Sequence, residues 1–244
     1  MKSYSNTYIF IFSVVMVVIV AVLLSFVAMQ LKPLQELNQE IERKGDILRS
    51  VGEAAEESDV KDKNGYIESE FEKYITDSYV VDYEGKVQEE DAFEITLNLK
   101  EQADKDAPDR LYPVFIYTAE NEDHKYIVPV RGKGLWGPIW GYVSFEPDLN
   151  TIYGAIFDHS KETPGLGAEI NTSWFEEEFT GKRIFNEGGD FVSISVLKSA
   201  ETENDPHAVD AISGGTITSD GLNDMLLDYF EGYVNHFKEK GVVN

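Results

Sequence analysis

The segment Asp210-Ala211-Ile212-Ser213-Gly214-Gly215-Thr216-Ile217-Thr218-Ser219-Asp220 gathers the side chains of this sequence best suited to hold a phosphate. Four hydroxyls (Ser213, Thr216, Thr218 and Ser219) and the adjacent glycines Gly214 and Gly215 lead into a run with Leu222, Met225, Leu226, Tyr229, Phe230 and Val234 at helical spacing. N–H groups at the start of a helix lack intrahelical acceptors, and the helix dipole adds positive potential there, so such a loop is a natural anion seat. A Thr hydroxyl in that seat can also carry a phosphate as an ester. Taken alone, the same residues read equally well as a loop with Thr218 or Ser219 as helix N-cap and Asp220 in the first turn.

Two further segments are punctuated by glycine: Lys133-Gly134-Leu135-Trp136-Gly137-Pro138-Ile139-Trp140-Gly141 and Glu162-Thr163-Pro164-Gly165-Leu166-Gly167. Each has a plain structural reading. Gly134, Gly137 and Gly141 permit tight turns with Trp136 and Trp140 filling core, and Pro164-Gly165 is a turn dipeptide. Together with the hydroxyl-rich loop they read differently. A flat aromatic ligand at a shallow site needs close backbone approach, apolar side chains against its faces and polar groups at its heteroatom edge. Glycines such as Gly165 and Gly167 allow the approach, Leu135, Trp136 and Leu166 supply the faces, Glu162 and Thr163 the edge, and Ser213, Gly214, Gly215, Thr216 and Thr218 the phosphate seat. Flavin mononucleotide combines such a ring with a phosphate.

The elements that must position these residues follow from patterning. Residues 8–31 carry no charged side chain, enough at 1.5 Å per residue to cross a hydrocarbon core of about 30 Å. The run exceeds the apolar core of a signal peptide and lacks a small-x-small cleavage site, so an uncleaved anchor over 1–33 is expected. A polar, amphipathic stalk helix is expected over 34–57, a break at 61–65, and a second helix over 67–79. Strands are expected at 93–99, 114–118, 126–130, 139–145, 151–157 and 191–196, where β-branched and aromatic residues are bounded by Gly, Pro, Asn or Asp. A helix over 222–237 closes the chain. The fold class that results is α+β, an antiparallel sheet with flanking helices after one N-terminal transmembrane helix. Residues 34–91 form the stalk and the start of the soluble part, and 92–244 the α+β domain.

Composition narrows the function. The 244 residues hold 45 acidic against 21 basic side chains, a net charge of −24, which argues against nucleic acid as a partner. With no cysteine, disulfides, thiolate catalysis and Cys-ligated metals are excluded, and His124, His159, His207 and His236 have no metal-ligand spacing. The Lys/Arg count around the apolar run, Lys2 before it and Lys32, Arg43, Lys44 and Arg49 after it, is a weak vote for an inward-facing domain.

Gly134-Leu135-Trp136-Gly137-Pro138, Glu162-Thr163-Pro164-Gly165-Leu166-Gly167 and Ser213-Gly214-Gly215-Thr216-Ile217-Thr218-Ser219, in this order and at these separations, resemble the NqrC family. Its members belong to the Na⁺-translocating NADH:quinone reductase, a bacterial inner-membrane respiratory complex. The third segment is similar to that family's Ser-Gly-Ala-Thr flavinylation motif, with Gly215 in place of Ala. The resemblance implies FMN joined through its phosphate to Thr216, a flavin transferase that makes the bond, other subunits of the complex as partners, and a single-pass inner-membrane protein with its domain on the periplasmic side, which overrules the Lys/Arg count. It implies an electron relay that binds neither NADH nor quinone, within a complex coupling quinone reduction to Na⁺ export. Thr218 is then expected to hydrogen-bond locally. The alternatives are the flavin-bearing member of a related Rnf-type electron-transport complex and a cofactor-free acidic extracytoplasmic scaffold.

Overall fold

A computed structural model of the chain describes residues 5–53, 62–120, 123–198, 202 and 204–240. The chain divides into two compact units, Met1–Glu42 and Arg43–Asn244. Helix α1, Asn6–Arg49, is long and apolar enough to cross a membrane, with a mean hydropathy of 3.2 over its most apolar window, and that window is exposed. Pro33 lies inside α1, so the apolar run and the polar stretch after it are one helix. The helix stops short of the expected residue 57, and residues 54–57 lie outside the described part. The cause is Gly52: at φ 81° it takes the left-handed C′ position, with its N–H on Arg49 O (3.0 Å) and Glu53 N–H on Leu48 O (3.0 Å).

Helix α2, Lys63–Tyr74, is capped by Asp62, whose carboxylate accepts from the Gly65 N–H at 3.1 Å. Lys63-Asn64-Gly65 is therefore its first turn and not a break; Lys61 lies outside the described residues. The helix expected to run to residue 79 ends at Tyr74. Ile75–Val81 forms strand β1, because Ile75, Thr76, Tyr79, Val80 and Val81 suit a pleated, half-buried surface better than a helix. The opposite correction applies at 93–99, where the structure has helices α3, Ala92–Leu97, and α4, Leu99–Ala103, in place of a strand. Asp91 accepts from the Glu94 N–H at 2.8 Å, and this cap outweighs the β-rich composition behind it.

The remaining strands are β2, Val87–Gln88; β3, Tyr112–Thr118; β4, His124–Lys133; β5, Pro138–Phe145; and β6, Ile152–His159. With β1 they make a six-stranded sheet in the order β2-β1-β3-β4-β5-β6, every pairing antiparallel. This is the expected α+β class. The strand expected at 191–196 shrinks to β7, Ser195–Leu197, which pairs in parallel with β8, Ala208–Asp210, while Phe191 makes an isolated bridge to Phe185. Between β6 and β7 lies the short helix α5, Ser173–Glu177.

Helix α6, Thr216–Glu239, buries Leu222, Met225, Leu226, Tyr229 and Phe230 in a core shared with Val128, Val130, Ile139 and Phe145 of the sheet. Each such side chain contributes about 1.5–3 kcal/mol on burial. The helix starts six residues earlier than its apolar periodicity indicates, since its first turns carry the hydroxyl loop. Its approach to β4 is close: a Cβ on Gly221 would stand 2.2 Å from Lys133 O, and one on Gly132 would stand 2.6 Å from Met225 Cβ. Gly221→Ala should therefore destabilise the chain by about 2 kcal/mol, even though alanine gains about 1 kcal/mol in helix propensity. Chemical denaturation of the detergent-solubilised protein measures this, and a stabilised variant would contradict the contact.

Candidate functional site

The β4–β5 hairpin closes through Gly132↔Ile139 and Lys133↔Pro138, with the Gly134 N–H donating to Gly137 O at 2.8 Å. Its tip displays Leu135 and Trp136, which are 46% and 63% exposed, so Trp136 fills no core; Trp140 is half-buried. The Ser160 N–H donates to Pro138 O at 3.1 Å, which brings the chain leaving β6 alongside the hairpin tip. Two residues later stands Glu162, buried at 5% exposure. Its Oε1 accepts the Trp136 N–H at 2.8 Å and its Oε2 accepts the Thr218 hydroxyl at 2.7 Å.

This carboxylate accounts for two glycines. A Cβ on Gly134 would lie 2.7 Å from Glu162 Oε1, and one on Gly167 would lie 2.7 Å from Oε2 and 2.3 Å from Thr218 Oγ1. Between them, Thr163 O accepts from the N–H groups of Leu166 (3.1 Å) and Ala168 (3.2 Å), a turn made possible by Gly165 at φ 75°.

The hydroxyl loop enters α6 without a side-chain cap. Gly214 is left-handed at φ 76°, Gly215 is the N-cap, and Thr216 is the first helical residue. The first intrahelical bond runs from the Ser219 N–H to Gly215 O at 2.9 Å, so the N–H groups of Thr216, Ile217 and Thr218 precede the helical ladder. Neither Thr218 nor Ser219 is the N-cap. Ser219 Oγ accepts from the Ile212 N–H at 3.1 Å, and Thr218, 2% exposed, reaches across to Glu162 and makes no local bond. The helix begins earlier than a capping reading supposes because two consecutive glycines already supply the turn. Thr216 and Ser213 are exposed.

The three segments converge on one cavity of about 370 Å³. Leu135 and Trp136 line it from the hairpin, Glu162, Thr163, Leu166 and Gly167 from the second segment, and Gly214, Gly215, Thr216 and Thr218 from the third. Ser213 and Gly165 belong to the same loops but are not in the lining. One lining residue escaped the sequence reading: Ile217, 58% exposed. Its signal was an apolar residue between two threonines, off the buried face of α6. Leu135, Trp136, Leu166 and Ile217 form an exposed apolar cluster beside a helix N-terminus, and the volume lies in the range of small-molecule sites. Glycine-lined walls, apolar side chains, unpaired N–H groups and an exposed hydroxyl fit a flat ring that carries a phosphate.

Gly215 also has a packing reason. A Cβ there would stand 3.0 Å from Ile212 Cγ2 and 3.3 Å from the Gly167 N, and Ile212 is only 4% exposed. Gly215→Ala should cost about 1 kcal/mol of stability, and adding Ile212→Val should recover most of it. Equilibrium denaturation of the single and double variants checks this; strictly additive costs would contradict the crowding.

Residues 134–231 match the family model of the FMN-binding domain. Over 97% of this chain and 94% of the relative, the sequence is 30% identical to the NqrC component of the Na⁺-translocating NADH-quinone reductase of Neisseria meningitidis serogroup B. The crystal structure of the corresponding protein of Parabacteroides distasonis superposes with a TM-score of 0.73 at 38% identity, covering 85% of this chain and 96% of that one. That of Shewanella oneidensis NqrC superposes with a TM-score of 0.67 at 26% identity, covering 83% of this chain and 98% of that one. The chain belongs to the NqrC family of the Na⁺-translocating NADH-quinone reductase, an oxidoreductase component with an FMN-binding domain.

Proposed function

We propose that this chain carries FMN as a phosphoester on Thr216 and relays electrons between other redox centres of the reductase, within a complex that couples quinone reduction to Na⁺ export. The observation that supports this reading is the pairing of two threonines on one helical turn. Thr216, exposed at the first position of α6, lines the cavity and its hydroxyl has no hydrogen bond among the described residues, while Thr218 is buried and donates to Glu162.

When bound, the flavin supplies one- and two-electron redox chemistry; the protein supplies its orientation and surroundings. The N–H groups of Thr216, Ile217 and Thr218, at the positive end of α6, suit an ester phosphate. Leu135, Trp136, Leu166 and Ile217 would exclude water from the ring faces. Glu162 and Thr163 would stand at its polar side, with Ser213 and Gly165 holding their loops in shape. A covalent tether leaves the ring shallow, with an edge open to a redox partner, and prevents loss of the cofactor. A flavin transferase is required to make the bond. On this reading residues 1–33 anchor the chain by a single pass in the inner membrane, 34–91 lead into the soluble part, and 92–244 form the flavin domain on the periplasmic side.

Co-expression with a flavin transferase followed by denaturing electrophoresis tests the attachment. The band should fluoresce under ultraviolet light and lose essentially all fluorescence in Thr216→Ala, and fragment-ion mass spectrometry should place the adduct on Thr216. An adduct on Thr218 or Ser213 with Thr216 bare would overturn the assignment.

A further inference from the structure

A second, smaller cavity, of about 40 Å³, is lined by Thr96, Lys100, Arg131 and Trp140 together with Arg43, and it shares no residue with the flavin-type cavity. Arg131 and Trp140 are cross-strand partners on β4 and β5, so the sheet fixes their spacing. The Arg131 guanidinium lies 6.0 Å from the centroid of the Trp140 ring and the Arg43 guanidinium 5.1 Å from it.

Two like charges thus share one ring in a chain of net charge −24. Other basic groups of the same unit find acids: Arg110 meets Asp228, Lys125 meets Glu146, Arg49 meets Asp46 and Lys44 meets Glu68. Among the described residues, neither Arg43 nor Arg131 forms an ion pair with a carboxylate within 4.0 Å. The Trp140 Nε1 is buried and donates to no acceptor among them. Burial pulls the Arg131 pKa below its ordinary value, with Arg43 acting in the same direction and Tyr229 and Asp104 opposing it. The charged side chains of this lining, Arg43, Lys100 and Arg131, are all cations, and among the described residues none of the three has a carboxylate within 4.0 Å.

We propose that this cavity binds one phosphate oxyanion, held between the Arg43 and Arg131 guanidinium groups with the Trp140 indole N–H as a third donor. The guanidinium fork matches phosphate oxygens in pairs, and a charged acceptor satisfies an indole N–H at no cost to the packing around it. The volume suits a single group: a water needs about 10–15 Å³ by this measure, so about three waters, or one phosphate, fill it. Free inorganic phosphate and the phosphate of a lipid headgroup present the same oxygens.

Isothermal titration calorimetry on the full chain in detergent, at fixed ionic strength, tests the site with inorganic phosphate and with short-chain phosphatidic acid as probes. Saturable binding of inorganic phosphate assigns a free anion, and binding of the lipid alone assigns a headgroup. In either case Arg43→Gln and Arg131→Gln should each raise Kd about tenfold. Trp140→Phe, which keeps a ring for the arginines and removes only the donor, should raise it severalfold. Arg183→Gln, outside the lining, should leave it unchanged. Absence of saturable binding with both probes would overturn the proposal, as would binding unaltered in Arg43→Gln and Trp140→Phe chains whose circular dichroism matches the parent.

Discussion

The buried carboxylate of Glu162 is the joint on which the site depends. A carboxylate taken out of water is costly unless donors replace the solvent, and here the donors come from two separate elements, the Trp136 backbone on the β4–β5 hairpin and the Thr218 side chain on α6. One charge therefore locks the hairpin tip, the loop after β6 and the first turn of the terminal helix into a fixed arrangement. The glycines at 134 and 167 are where that carboxylate meets backbone, and a Cβ at either position would push it out of place.

The same economy of space sets the position of α6. Gly221 and Gly132 let the helix and β4 approach until side chains on one meet backbone on the other. That approach carries the N-terminus of α6 to the end of β4, beside the hairpin tip. Because Glu162 occupies the Thr218 hydroxyl, the two threonines on this turn differ in environment although they are two residues apart in sequence.

Much of this is legible in the sequence. Strands β3 to β6 and the closing helix follow from periodicity and β-branched content, and the three glycine segments that converge are those whose residue types match a ring and a phosphate. What escapes is tertiary. Residues 93–99 look like a strand by composition, and only the Asp91 cap reveals a helix. Ile75–Val81 continues a helical pattern until its pairing with β3 is known. Periodicity places the start of α6 too late because Thr218 and Ser219 are good N-caps in isolation, whereas the Gly214-Gly215 turn makes capping unnecessary. Glu162 is expected at the polar edge of a ligand; its commitment to Trp136 and Thr218 depends on contacts across 26 and 56 residues, which no local pattern encodes.

Amide hydrogen exchange at Trp136, in the parent chain and in Glu162→Ala, tests most directly whether one carboxylate holds the three segments together. With the bond to Glu162 intact the Trp136 amide should be protected despite its exposed side chain. Loss of the carboxylate should speed its exchange on the order of tenfold to a hundredfold, with residues at the start of α6 following, while the amides of β4 and β5 stay protected. Equal exchange at Trp136 in the two proteins, both folded, would contradict this account.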